Sequence, residues 1–522
     1  MASGARGRAL KVSTRMPMPG KVVVVDTAAS TARRSLGVSK YSRALSWLER
    51  ESLVVLVVAM YAAGVLVRMS NAMLSDSWMT LVAGRTILRH GLPTVDTYTT
   101  WAQGVRWVDQ QWLAQIFFGG LALLGGVKLA LLGNAAATIA ALALAVVAAR
   151  RLGGSPRSVP LVAALAIPQL AGDWLLRAQS LTYVMFAALV WLLVADARSP
   201  SRRIALAFPL LLLWANLHGS VVIAAGLVAL RGITVLAAKP RRTGRGLVLV
   251  VLPWLCLFAS PYATALPSYY QSIFLNHSLS VLATEWGASS PSLLTAPFYV
   301  LAFAGLALLA RRWKTVPLFE RLCFLVLLVA GMIALRNMVW FSLASIVFVP
   351  PRLDDVLAAR GRQEPQPLVK RGLPAVALCV TAVLAVALVA RSDRWYEQSY
   401  PAKPAQIVAA AAARDPSSVV FADARYADWL LWRQPTLTGR IAYDARLELL
   451  TNSQLVNIYF WRSHIGRDWT NIAGCRAIVL VNLLEEPLTE RALLREHGTR
   501  RIYRDSRISI LVRRSPTCSR QS

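Results

Sequence analysis

Charged residues are scarce in this sequence. Asp, Glu, Lys and Arg make up 16% of its 522 residues, against about 25% in a soluble domain. A chain that is 56% hydrophobic and so poor in charge is not built to be a soluble globule. Acidic residues are scarcer still, 26 against 57 Lys and Arg. The basic surplus does not point to nucleic acid, because it is clustered between apolar runs, as in the cytoplasmic loops of membrane proteins. The five cysteines include no CxxC and no Cys/His metal spacing, so no metal site is expected. Cys256, Cys323 and Cys379 lie in apolar runs as ordinary membrane residues. Cys475 and Cys518 fall in a polar C-terminal part and are either a disulfide or two thiols. There is no phosphate-cradling Gly loop, no HExxH and no GxSxG, and Ser, Cys and His form no nucleophile triad. Residues 1–50 lack the apolar core and cleavage site of a signal peptide; they read as a disordered basic cytoplasmic tail.

What the chain has is apolar runs of membrane length. They predict a polytopic α-helical membrane protein with about eleven spans. The first is Leu53–Val67. The stretch after it, Leu113–Val147, is divided by Gly125-Gly126 and Lys128, which suggests an interfacial or re-entrant helix followed by a span over Leu129–Ala149. Further spans are expected over Val159–Ala171, Leu181–Ala195, Ile204–Leu217, Val221–Ala237, Leu247–Ser260, Pro297–Ala310, Leu318–Leu335, Met338–Val349 and Leu373–Ala390. The basic segments Arg150–Arg157, Arg198–Arg203, Lys239–Arg245, Arg311–Lys314 and Arg352–Arg371 alternate with poorer loops. By the positive-inside rule the N-terminus is then cytoplasmic. Asp76, Asp173, His218, Glu285 and Arg336 fall on the outer side, together with the first outer loop 69–112. Arg231, inside a span, is expected to snorkel to the inner surface.

Residues 51–391 therefore form the membrane domain. From 392 to 522 the pattern changes to short β runs (SSVVFAD, RIAYD, RAIVLVN, RRIYRD, RISILVRR) between helical stretches at Pro401–Arg414, Tyr426–Arg433, Ser453–His464 and Thr489–Glu496. This predicts a small extracytoplasmic α/β domain.

The candidate site is the set of polar residues at the outer rim. Asp76 opens the polar, Trp-rich first loop and suits a general base or an electrostatic stabiliser of developing positive charge; Ser75 or Asp76 also suits the N-cap of a helix over Ser77–Arg89, and the two roles are compatible. Asp96 follows Pro93 and suits a turn. Asp109, between Trp107 and Trp112, suits a sugar or lipid headgroup, although tryptophans also anchor membrane interfaces. Asn216 and His218 of WANLHG end a span and are costly there unless satisfied or used. Asp173 and Arg177 stand four apart and suit a pair. Arg336 suits a lipid-linked phosphate, and Glu285 a second acid.

These motifs resemble the GT-C superfamily of integral membrane glycosyltransferases. The layout is similar to the protein O-mannosyltransferases and aminoarabinose lipid A transferases. It is closer to a group of bacterial GT-C-like membrane proteins with a similar first loop, which here reads DSWMTLVAGRTILRHGLPTVDTYTTWAQGVRWVDQQWL. RAQSLTY, WANLHGS, SPYATALPSYY, ATEWGASSP, RNMVWFSLASIVFVPP, VFADARYADWLLWR and IAYDARLEL are further signatures. The sequence departs from the group at Met79-Thr80, where Trp-His is usual, and lacks a second acid beside Asp76. The resemblance implies inverting transfer from a polyprenyl-phosphate sugar, with Asp76 as base, Arg336 or Arg177 on the phosphate, and no metal or cofactor. The implied partners are membrane lipids, the lipid-linked donor and a glycan, lipid or protein acceptor, in a bacterial cell membrane. The competing classes are a lipid-linked glycan transporter, which would show internal repeats, and a catalytically silent scaffold.

Overall fold

The computed structural model describes residues 46–171, 174–238, 243–274, 282, 284–358 and 368–514. Residues up to 50 form a unit by themselves, and the expected tail lies almost wholly outside the described residues.

The membrane part is a helical bundle. In chain order it contains α1 (Ser52–Arg68), α2 (Ser75–His90), α3 (Trp112–Arg151), α4 (Ser158–Ala171), α5 (Ser180–Arg198), α6 (Ala207–Trp214), α7 (Val221–Ala238) and α8 (Thr243–Leu257). It continues with α9 (Leu266–Phe274), α10 (Ala296–Arg311), α11 (Leu318–Ile333), α12 (Met338–Phe348), α13 (Pro350–Leu357) and α14 (Leu373–Ala390). Among the described residues five helical stretches are long and apolar enough to cross a membrane: Ser52–Asn71, Trp112–Arg151, Ser180–Arg198, Val221–Ala238 and Lys370–Ala390. α6 is shorter than the sequence suggests, because Trp214 begins a turn that carries Asn216 and His218. α14 leaves Val376, Val383, Val386 and Val389 exposed. An apolar surface of this kind is stable against lipid and not against water.

The ambiguous stretch after the first loop folds as expected from its glycines. α3 breaks at Gly125 and Gly126, the latter at φ +73°, a conformation that favours glycine. The chain turns back there, since a Cβ on Gly133 would stand 2.6 Å from Leu121 Cδ1. The short first arm packs on α2 through Gly84 and Gly119; a Cβ on Gly84 would fall 2.0 Å from the Gln115 carbonyl oxygen.

Ion pairs gather the basic segments at one end of the bundle. Arg198 holds Glu320 at 2.7 Å and the Leu152 carbonyl at 2.6 Å. Arg352 reaches the same fully buried Glu320 at 3.3 Å. Arg231 does not snorkel: it donates to Asp196 at 3.0 Å, and Arg245 shares that carboxylate. A buried guanidinium needs such a partner more than it needs water.

The C-terminal part contains α15 (Asp393–Tyr396), α16 (Ala402–Arg414), β1 (Val419–Ala422), α17 (Ala424–Arg433), α18 (Asn452–Ser463), β2 (Arg476–Asn482), α19 (Pro487–Leu494), β3 (Thr499–Arg504) and β4 (Ile508–Arg514). The sheet order is β1-β2-β4-β3, with β1 parallel to β2 and the other pairs antiparallel. RIAYD is not a strand of this sheet. Ile441 makes single bridges to Val420 and to Thr99, so this segment joins the sheet edge to the first loop. Thr100 N–H donates to the Ile441 carbonyl at 2.7 Å and Trp101 N–H to that of Ala442 at 3.1 Å. Arg85 of α2 donates to the Leu431 and Trp432 carbonyls at 2.9 and 2.8 Å, satisfying the C-terminus of α17. Cys475 is disulfide-bonded; Cys518 lies outside the described residues.

Candidate functional site

At the bundle end opposite the basic segments, α2, the first loop, the turns before α5, α7 and α12, and the C-terminal part enclose a cavity of about 950 Å³. Asp76 stands in the first turn of α2, not at its cap. The N-cap position is Leu74, whose N–H donates to Ser77 Oγ at 3.0 Å, and neither Ser75 nor Asp76 caps. The Asp76 side chain is thereby left 47% exposed on the cavity wall, where the helix N-terminus favours its negative charge.

A row of alternating charge runs from it. Arg177 Nε lies 3.5 Å from Asp76 Oδ2, and Arg177 Nη1 lies 2.7 Å from Glu285 Oε2. Arg336 Nη1 lies 3.8 Å from Glu285 Oε1, and its guanidinium sits 4.3 Å above the Trp286 ring. Burial alone raises the Glu285 pKa, but Arg177 and Arg336 outweigh it and hold the carboxyl below its usual value. Asp173, the other partner the spacing suggested for Arg177, lies outside the described residues.

His218 lines the same cavity. Its Nδ1 accepts the Ser220 N–H at 3.0 Å, which leaves the proton of the neutral ring on Nε2. Burial, with Arg336 and Arg177 nearby, lowers its pKa to about 3. Asp109 is buried. Its Oδ1 accepts from Gln111 N–H and Gln115 Nε2 at 3.3 and 2.9 Å, and burial raises its pKa to about 7.

The sequence-predicted residues Asp76, Asp109, Arg177, His218, Glu285 and Arg336 thus meet on one cavity. Trp112 and Asn216 do not line it. Trp112 Nε1 donates to Asn216 Oδ1 at 3.0 Å, and Asn216 Nδ2 donates to the Leu212 and Ala259 carbonyls at 2.9 and 2.7 Å. They tie the start of α3 to the turn after α6. Asp96 makes a turn, accepting from Tyr98 N–H at 3.0 Å and Thr99 N–H at 3.1 Å.

The C-terminal part supplies wall residues that the rim pattern missed: Arg446, Glu448 and Arg462. Arg446 is buried against the Tyr98 and Trp107 rings, 4.9 and 4.3 Å from their centroids. It pairs with Asp96 at 2.5 Å and with Asp444. Arg462 pairs with Asp423 at 2.9 Å. The IAYDARLEL signature contains Arg446 and Glu448 and was the available signal. Among the described residues no three His, Cys, Asp or Glu side chains group as a metal site.

No protein family and no curated protein matches the chain by sequence. Solved structures match it in fold. ArnT from Cupriavidus metallidurans in the apo state gives a TM-score of 0.50 at 16% identity, covering 88% of this chain and 97% of that one. ArnT from the same organism bound to undecaprenyl phosphate gives 0.50 at 15% identity, with the same coverage. The apo Archaeoglobus fulgidus oligosaccharyltransferase gives 0.51 at 12% identity, covering 83% of this chain and 70% of that one. These are GT-C glycosyltransferases, and the chain shares their fold.

Proposed function

We propose that this protein is a membrane glycosyltransferase that moves a sugar from a polyprenyl-phosphate carrier to an acceptor hydroxyl on the extracytoplasmic face of a bacterial cell membrane. The observation that carries this is the row Asp76–Arg177–Glu285–Arg336 on one cavity wall. A carboxylate placed to accept a proton stands beside cations that suit a phosphate.

In this mechanism the Asp76 carboxylate takes the proton of the acceptor hydroxyl as that oxygen attacks the anomeric carbon. The bond from the anomeric carbon to the phosphate oxygen breaks, and polyprenyl phosphate leaves with the electron pair. Arg177 and Arg336 stabilise the charge developing on the phosphate. A single displacement at the anomeric carbon by the acceptor oxygen, with Asp76 as base and not nucleophile, inverts that centre. Neutral His218 contributes an Nε2–H donor and no further positive charge. No cofactor is invoked beyond the lipid-linked donor. ArnT bound to undecaprenyl phosphate, a neighbour in fold, supports the donor class.

The orientation follows from charge. The basic segments gather at the bundle end away from the cavity, which the positive-inside rule makes cytoplasmic. The cavity and residues 392–522 are then extracytoplasmic.

The test is transfer by the purified full chain in nanodiscs, given radiolabelled polyprenyl-phosphate hexoses and pentoses with envelope glycans as acceptors. Label moving to the acceptor supports the proposal. The absence of both transfer and binding with every lipid-linked donor would sink it.

A further inference from the structure

The cavity wall carries two sets of polar side chains. Arg177 and Arg336 flank Glu285 on one side. The other side is formed by Asp109, Gln110 and Gln115 near the start of α3 and by Arg446 and Glu448 of the C-terminal part. On that side four buried polar atoms have no hydrogen-bond partner among the described residues: Asp109 Oδ2, Gln110 Oε1, Gln115 Oε1 and Arg446 Nη1. The other atoms of these groups are committed. Gln110 Nε2 donates to the Tyr270 hydroxyl, Gln115 Nε2 to Asp109 Oδ1, and Arg446 to Asp96 and Asp444. The side chains are therefore held in place while one atom of each stays unmatched. Such atoms are costly to bury unless something is recognised by them.

We propose that Asp109, Gln110, Gln115, Arg446 and Glu448 form an acceptor subsite for a neutral, polyhydroxylated sugar. This rests on the glycosyltransferase proposal above and names its acceptor class. A hydroxyl donates and accepts at once, and the unmatched set offers both: Gln110 Oε1 and Gln115 Oε1 accept, Arg446 Nη1 donates, and Asp109 Oδ2 accepts when ionised and donates when it carries the proton. The charge balance disfavours an anionic acceptor: Arg446 is already offset by Asp96 and Asp444, Arg462 by Asp423, and Asp109 and Glu448 add carboxyls. The position fits too. Glu448 lies within electrostatic reach of Asp76, and Asp109 within reach of Glu448, so a sugar held here presents its hydroxyl to the base. Phosphate belongs on the arginine side, and the two substrates then meet at Asp76.

The experiment uses the full chain in nanodiscs and saturation-transfer NMR with methyl α-mannoside and methyl β-galactoside (neutral), glucuronate (anionic) and glucosamine (cationic). Binding of undecaprenyl phosphate to the same preparations is followed by native mass spectrometry. A neutral glycoside is expected to bind the wild type more tightly than glucuronate or glucosamine. Asp109→Asn and Glu448→Gln should each weaken it roughly tenfold, the scale of one hydrogen bond, with undecaprenyl phosphate binding kept within about twofold. Asp109→Asn keeps the Oδ1 acceptor for Gln111 and Gln115, and Glu448→Gln tests the same wall should the first variant misfold. No neutral glycoside bound, stronger binding of the charged sugars, or both variants binding like wild type would overturn the subsite. Failure of wild type to bind undecaprenyl phosphate, with glycoside binding intact, would instead overturn the donor side of the proposed function and leave the subsite standing.

Discussion

Arg177 stands between two carboxylates, its Nε 3.5 Å from Asp76 and its Nη1 2.7 Å from Glu285. One planar guanidinium thereby joins the start of α2 to the segment ahead of α10. It fixes Asp76 at the cavity wall, and it is the positive group nearest the proposed base.

Arg177→Lys tests that geometry. A lysine keeps the charge but has a single donor head and cannot hold Asp76 and Glu285 in one plane. Turnover should fall roughly 10- to 100-fold, and Arg177→Gln should fall further. Wild-type turnover in the lysine variant would show that the two-sided contact is not used.

The buried acids predict a pH dependence of stability. Burial raises the pKa of Asp109 and of Glu448 to about 7 each. A carboxyl raised in the folded state holds its proton where the unfolded chain has released it. Stability therefore falls as pH rises from about 4 to about 7, and the full cost stays in place above that. His218 works against them, because its lowered pKa adds stability as pH rises from about 3 to about 6.5, but two raised carboxyls outweigh one histidine. Glu285 also has the opposite sign, since its pKa is lowered. Its stabilisation is present above the unfolded value and is lost only as pH falls through the folded one, below that window. Thermal unfolding in nanodiscs should show a lower midpoint at about pH 8 than at about pH 5, with a shallower slope in Asp109→Asn. An unchanged slope in the variant would contradict the assignment.

The seam between α2 and the first arm of α3 predicts an intolerant glycine. A Cβ on Gly84 would stand 2.0 Å from the Gln115 carbonyl oxygen, which is backbone and cannot step aside. Gly84→Ala should destabilise the protein by roughly 2 kcal/mol or more and lower turnover, because the two elements carry Asp76 and Gln115. Gly64→Ala is the control, with nothing within 4 Å of its Cβ. Equal thermal midpoints for the two variants would contradict the close packing.

Arg446→Lys tests how the C-terminal part is fastened to the first loop. The guanidinium bonds Asp96 and Asp444 and lies against two aromatic rings. A lysine cannot do both, and leaving Asp96 and Asp444 under-paired in a buried site should cost roughly 3 kcal/mol. Limited proteolysis should then cut between residues 390 and 450 faster than in wild type. Unchanged cleavage would show the hub to be dispensable.

The rim of the cavity was legible in the sequence because polar residues at the ends of apolar runs are costly and stand out. Asp76, Arg177, His218, Glu285 and Arg336 share that signal and share the cavity. Asn216 gave the same signal for a different reason, since it joins two segments through Trp112. Glu448 and Arg446 gave no rim signal, because in a polar α/β segment a carboxylate or an arginine is ordinary. The pairing of residues 441–442 with the first loop, and of Arg446 with Asp96, brings them to the cavity. Arg231 is buried rather than snorkelling for a related reason: its partner Asp196 stands on a different helix, a pairing that no local spacing reveals.

The most direct measurement is the rate of sugar transfer by purified Asp76→Asn beside wild type, with the same lipid-linked donor and acceptor. Asparagine keeps the shape and cannot take the proton, so transfer should fall at least about 100-fold while donor binding is retained. Transfer at the wild-type rate would contradict the role of Asp76 and, with it, the proposed chemistry of the cavity.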